Sequence, residues 1–376
     1  MKHYYLISTA GYPNFGDEQI VRNWLAFFKK NHAHDQITLD VPFPARSSLL
    51  FKDEFPNINF VDTIWNLIYA GDDAGATLED PVTLIHLLEG DAPRDFMGIE
   101  NMKSADEIHL LGGGYFTTDR PEFNRTYLFF PILTYLKSLN PSLKLITHGL
   151  GLTPISNNYK IELETNYLSE FNYVGVRDKE SAKIKGTTLE LDDVFMSHKL
   201  NALRIDDQKD NPDILLVLKP INDQEKLKVF LNQLIQYLET EKNKNKTIGI
   251  LEFMVPIDNW LFFEPYLNAI PTIKQRLTFF GFWDIWTKGI PYKKDQEWIV
   301  SRFHAHLIGS ILKVKGSIFI ESDQYYQTKQ QSLLELGTGW QLIENDPTFN
   351  IKPSRNKLFT TQIALKIATK LSRMNK

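Results

Sequence analysis

Ser301-Arg302-Phe303-His304-Ala305-His306 sets a permanent cation two residues from a titratable imidazole, between a strand-like run at 298–300 and an apolar helical run at 307–312. At a helix start, unpaired N–H groups and the positive end of the dipole favour an anion. Arg302 could hold a phosphate or carboxylate there while His304, whose ordinary pKa lies near neutrality, donates or accepts a proton. Alone the pattern is unspecific. Four clusters upstream strengthen it.

The first is Gly11-Tyr12-Pro13-Asn14-Phe15-Gly16-Asp17. Gly16 permits close backbone approach, Asp17 can cap a helix, and Asn14 can both donate and accept hydrogen bonds. That suits a binding loop for a polyol or phosphate; a plain strand–turn–helix corner is the equal alternative. The second, Gly112-Gly113-Gly114, offers bare N–H groups that cradle an anion or simply turn tightly. It lacks both the spaced dinucleotide fingerprint and the Gly-Lys-Ser/Thr ending of a P-loop, which disfavours nucleotide hydrolysis. The third, Thr147-His148-Gly149-Leu150-Gly151, carries His148, although a lone histidine beside glycines is usually structural. In the fourth, Val176-Arg177-Asp178, Asp178 suits a cap and Arg177 can point into a cleft, with a surface ion pair as its commoner fate. No metal-ligand constellation emerges, because His304 and His306 are two apart and lack a carboxylate partner at helical spacing.

Alternating strands and helices must position these clusters. Apolar runs predict strands over 4–7, 37–41, 107–111, 144–147, 173–176, 214–218, 247–253 and 316–320. Ile20, Val21, Trp24, Leu25 and Phe28 recur at helical spacing, as do Leu227, Phe230, Leu231, Leu234 and Leu238 within 223–238. Strand, polar turn, then helix is the signature of parallel βα units. The polar stretch 204–212 ends in Pro212 and reads as a linker. The fold expected is α/β, with two doubly wound, Rossmann-like domains facing across a cleft, at 1–204 and 213–350. A C-terminal helix within 351–376 would pack back across them. Ligands would bind at the carboxyl ends of the strands.

Composition fits two domains. The chain has 376 residues, 43% hydrophobic and 12% aromatic, ample for sizeable cores. Its net charge of −4 gives no bulk attraction for nucleic acid. Cysteine is absent, which excludes disulfides and thiolate metal sites and fits a cytoplasmic home. No apolar run is long enough to span a bilayer.

Taken together and in order, the motifs resemble the polysaccharide pyruvyl transferase family. The resemblance runs through Asn14-Phe15-Gly16-Asp17, Gly112-Gly113-Gly114, Gly149-Leu150-Gly151-Leu152-Thr153-Pro154, Val176-Arg177-Asp178, Asp192-Asp193-Val194-Phe195, Arg302-Phe303-His304 and Tyr326-Gln327-Thr328-Lys329. It implies a GT-B-like fold and transfer of pyruvate from phosphoenolpyruvate to a sugar of a cell-surface glycan precursor, forming a ketal. Phosphoenolpyruvate is then the co-substrate and no cofactor is needed. By this resemblance Arg177 and Lys329 hold the carboxylate and phosphate, one from each domain, and His304 is the acid. Arg302 binds phosphate or is structural. The acceptor, a sugar or lipid-linked glycan, lies against the first domain near Asn14, Gly16, Asp17, Gly112 to Gly114 and His148.

Some positions depart from the family pattern. His148 stands where glutamine is common, and Lys219-Pro220 where arginine is common. Ser322-Asp323-Gln324-Tyr325 lengthens the gap before Lys329, so Lys313 and Lys315 are rivals for its role. The aromatic residues between 260 and 286 read mostly as core, with Trp283 and Trp286 kept as rim candidates. Residues 351–376 hold seven basic and no acidic side chains, so Lys366, Lys370 and Arg373 could meet an anionic membrane, against a plain closing helix. Two other functions stay open: a nucleotide-sugar glycosyltransferase, and a degenerate family member that only binds glycan.

Overall fold

The computed structural model describes residues 1–258, 260–321 and 324–374, without the side chains at 121, 122, 324 and 325. Ser322 and Asp323 of the lengthening segment therefore lie outside the described residues. The chain divides into two compact units. The first holds Met1–Tyr12, Asp17–Asp193 and Lys370–Lys376; the second holds Pro13–Gly16 and Val194–Thr369.

The sheet of the first unit contains β1 (His3–Ile7), β2 (Gln36–Asp40), β3 (Ile58–Val61), β4 (Glu107–Leu110), β5 (Lys144–Leu150), β6 (Tyr173–Val176) and β7 (Thr188–Leu189). Its order is β3-β2-β1-β4-β5-β6-β7, with every pairing parallel. All five residues of β1 are buried, as expected for a strand covered on both faces. The strand order reverses direction between β1 and β4, so the carboxyl ends of these two strands flank a crevice. The helix Phe15–Asn31 follows β1, with Asp17 and Glu18 in its first turn and Lys29 and Lys30 in its last, matching the helix dipole. Asp17 is thus not the cap that the sequence suggested; the helix starts two residues earlier.

The second unit contains β8 (Ile205–Asp206), β9 (Ile214–Val217), β10 (Ile248–Leu251), β11 (Leu277–Phe280), β12 (Ile290–Pro291), β13 (Glu297–Val300), β14 (Lys315–Phe319) and β15 (Gln341–Ile343). Six of these form a parallel sheet ordered β11-β10-β9-β13-β14-β15, while β8 pairs with β12. Its direction reverses between β9 and β13, repeating the winding of the first sheet. Helix Gln224–Leu238 begins at Asp223, whose carboxylate accepts the N–H groups of Glu225 and Lys226, and it buries Leu227, Phe230, Leu231, Leu234 and Leu238. The closing helix Phe359–Met374 buries Phe359, Ile363, Ile367 and Leu371. No described helix is long and apolar enough to cross a membrane.

Candidate functional site

In the second unit, β9 and β13 run side by side, Val217 opposite Val300. Their carboxyl ends continue as Leu218-Lys219 and Ser301-Arg302, tied by a hydrogen bond from the Lys219 N–H to Ser301 Oγ at 2.8 Å. The helix Phe303–Ile311 starts immediately afterwards, so His304 stands in its first turn, half-buried.

A short strap of chain braces that imidazole. Within the second unit, Phe15 donates its N–H to Phe253 O at 2.7 Å, Val255 donates to Pro13 O at 3.0 Å, and Asn14 bridges Met254 in antiparallel sense. Phe15 also stacks on Phe253 with centroids 4.8 Å apart. The strap brings Gly16 against His304, where an added Cβ would overlap the ring at Nδ1. Glycine is required at this contact by space alone.

Arg302 is committed locally. Its Nε donates to both Asp258 oxygens at 2.9 and 3.0 Å, and an Nη of the same guanidinium also pairs with Asp258. Asp258 is buried and further accepts the N–H groups of Phe253 and Met254 at 3.2 and 3.1 Å. Burial pushes its pKa up, against the pull of the Arg302 charge. One carboxylate therefore anchors both the arginine and the loop that grips the strap.

Lys219 follows a different pattern. Its ammonium donates to Glu321 Oε2 at 2.7 Å and lies 3.9 Å from the centre of the Tyr326 ring. Glu321 Oε1 accepts the Asn222 N–H at 3.0 Å. Burial acts to raise the Glu321 pKa, but the Lys219 ammonium and the Asn222 and Asp223 N–H groups outweigh it and hold the carboxyl below its ordinary value.

The helix Gln324–Glu335 carries Tyr326, Lys329 and Gln330 at i, i+3 and i+4, hence on one face. Gln330 donates from Nε2 to Ser301 O at 3.1 Å, which leaves its Oε1 to accept from His306 Nδ1 at 2.9 Å. His306 Nε2 then accepts from Thr338 Oγ1 at 2.8 Å. Burial holds the His306 pKa down at about 3, with the Gln330 bond opposing it. His306 is a neutral structural ring whose nitrogens are both engaged.

In the first unit the glycine turns meet each other. Gly151 donates its N–H to Gly113 O at 2.9 Å, and a Cβ on Gly112 would lie 2.9 Å from His148 O and 3.2 Å from Asp193 Oδ2. The Gly112 to Gly114 turn thus has close protein neighbours, and its second residue sits at a φ of 158°. Arg177 is almost fully buried and donates to Asp192 Oδ2 at 2.7 Å. Asp178 accepts the Ser181 N–H at 2.7 Å and the Ser181 hydroxyl at 3.0 Å, but the cap position of the short turn Ser181–Lys183 falls on Glu180, not on Asp178 as the sequence suggested. His148 is in the core, stacked on His109 with Nε2 2.9 Å from His109 Nδ1, and its ring lies 4.2 Å from Trp24. Burial first, then His109, depresses its pKa well below the ordinary value.

Behind these turns lies a group that the sequence did not reveal. Lys370 is buried and pairs with Glu190 Oε1 at 2.7 Å and with Asp193. Glu190 Oε1 also accepts the Gly149 N–H at 2.6 Å, and Asp193 Oδ2 accepts from Trp24 Nε1 at 2.6 Å. Lys370 therefore cannot face a membrane. Arg373 stacks 4.2 Å over the Tyr173 ring yet, like Lys366, stays exposed. Of the two tryptophan rim candidates, Trp286 is buried in the core and Trp283 is half exposed. Among the described residues, no three metal-ligating side chains cluster.

Two parallel sheets wound in the same order, with glycine turns and charged residues at their switch points, define a GT-B-like protein of Rossmann-type units. Solved structures agree on the fold. A Listeria monocytogenes protein assigned as a UDP-N-acetylglucosamine 2-epimerase aligns at TM-score 0.52 and 12% identity over 100% of this chain and 91% of its own. The S. aureus MnaA–UDP co-structure aligns at TM-score 0.51 and 10% identity, over 99% and 89%. No curated protein sequence matches the chain. The family model of polysaccharide pyruvyl transferase matches residues 14–319, and the chain belongs to that family. Membership brings with it transferase activity in polysaccharide biosynthesis and a sugar or glycan acceptor.

Proposed function

We propose that this chain transfers the pyruvyl unit of phosphoenolpyruvate onto two hydroxyls of a sugar in a cell-surface glycan precursor. The observation that carries the reading is His304, set in the first turn of a helix at the second unit's switch point and held in place by Gly16. Each belongs to a stretch through which the family resemblance runs.

The chemistry uses one acid and several cations. His304 protonates the methylene carbon, and one sugar hydroxyl attacks the adjacent carbon and loses its proton. The bond to phosphate breaks and a second hydroxyl closes the ketal, so two C–O bonds form, one C–O bond breaks, and inorganic phosphate leaves with the remaining proton. Lys329, on the face that carries Gln330, is assigned to the donor's anionic groups. Arg177 in the first unit keeps the role that the family implies, pre-set by its bond to Asp192. Asn14, Asp17 and the Gly112 to Gly114 turn are assigned to the acceptor. No cofactor enters this chemistry, and we place it at the cytoplasmic side of the membrane, where lipid-linked glycans are assembled. Any membrane contact by the closing helix would fall to its exposed face at Leu365 and Lys366.

Incubation with phosphoenolpyruvate and a panel of glycan acceptors tests the proposal. Acceptor-dependent phosphate release, lost in His304→Ala while donor binding persists, is the expected result. Full turnover in that variant would remove His304 from the mechanism. Release of a nucleotide from nucleotide sugars instead would replace the donor.

A further inference from the structure

We infer that Lys219 is an anion-binding residue of the donor site, with Glu321 as its resting partner. The inference rests on the proposed use of an enol phosphate donor and adds a residue to that site.

Two basic side chains flank the switch point between β9 and β13, and they differ in what they can do. The Arg302 fork is closed on Asp258 through Nε and an Nη, and Asp258 is itself fixed by two backbone N–H groups. Its remaining Nη faces Met254 Sδ at 3.6 Å. Such a planar, bidentate pair does not readily release a cation to a ligand. Lys219 is a single ammonium on a flexible stem with three donors. Among the described residues, one donor goes to Glu321 Oε2 and the Tyr326 ring covers another side.

Glu321 does not depend on Lys219 alone. The Asn222 N–H bonds its other oxygen at 3.0 Å. The lysine can therefore turn toward an incoming carboxylate or phosphate without stranding its partner. Both side chains keep about a tenth of their surface exposed, 11% and 12%, whereas Asp258 keeps 1%. A nearly buried Lys–Glu pair is seldom retained for stability, because apolar replacements of similar volume often do as well. Its place at the carboxyl end of the sheet's first-wound strand, tied through its N–H to the residue before Arg302, is where doubly wound sheets bind ligands.

The test uses the full chain and the double variant Lys219→Met/Glu321→Gln, which removes both charges together and so preserves folding. Binding of phosphoenolpyruvate and of inorganic phosphate is measured by calorimetry, and KM for phosphoenolpyruvate by phosphate release. Both affinities should fall by about tenfold or more, with kcat less affected, while Lys219→Arg recovers part of the loss and Lys228→Met, on an exposed helix face, changes nothing. Unchanged affinity in the folded double variant would overturn the inference and leave the proposed reaction standing. The converse is also separable. If the native chain turns over no phosphoenolpyruvate yet binds inorganic phosphate in a Lys219-dependent way, the anion site holds and the donor assignment falls.

Discussion

The α-carbon of Gly16 rests against the imidazole of His304, so closely that no side chain fits between them. Gly16→Ala must therefore push the ring aside. We expect kcat for phosphate release to fall on the order of 100-fold, the scale of an ångström-sized misplacement of a catalytic group, with little change in melting temperature. Wild-type turnover in a folded Gly16→Ala protein would show that His304 need not stand where it does.

Asp258 should matter for a different reason. Asp258→Ala leaves the Arg302 guanidinium and the Phe253 and Met254 N–H groups without their shared acceptor. The expected cost is about 3–5 kcal/mol of stability, typical of breaking a buried pair by removing one partner. Urea unfolding measures it, and a loss below about 1 kcal/mol would contradict the anchoring role.

Acid should destabilise the second unit through His306. Its folded pKa of about 3 lies below the ordinary 6.5. The unfolded chain therefore binds a proton below pH 6.5 that the folded chain refuses until about pH 3. Stability is full above 6.5 and falls as pH drops, by roughly 3 kcal/mol between pH 7 and pH 4 from this group. In His306→Gln, unfolding followed against pH should lose that share of the slope. An unchanged slope would place the acid sensitivity elsewhere, for instance at the buried His148.

Chelation is a fourth check. The proposed ketal formation calls on protein side chains and phosphoenolpyruvate alone, so turnover should survive exhaustive treatment with EDTA. Activity abolished by chelator and restored by a divalent cation would require a different account of how the leaving phosphate is neutralised.

The central strands were readable because strands buried on both faces are continuous apolar runs, as Ile214-Leu215-Leu216-Val217 is. The edge strands β3, β11 and β15 are short and partly exposed, so their mixed composition gave no such signal. His304 was found because its neighbours in sequence are also its neighbours at the helix start. Asp258 was not, because its partner Arg302 lies 44 residues away and the loop around it has no periodic pattern. Lys370 misled for a related reason. On its own helix it looks like one cation among several, and the carboxylates that claim it lie 180 and 177 positions upstream.

That last separation governs how the protein can be made. Glu190 and Asp193 emerge from the ribosome long before the lysine that neutralises them, so two like charges must wait, solvated, until the closing helix follows. A fragment ending at Asp193 would retain every strand of the first sheet and still lack its counterion, and we expect it to be recovered from cells as an aggregation-prone, protease-sensitive product.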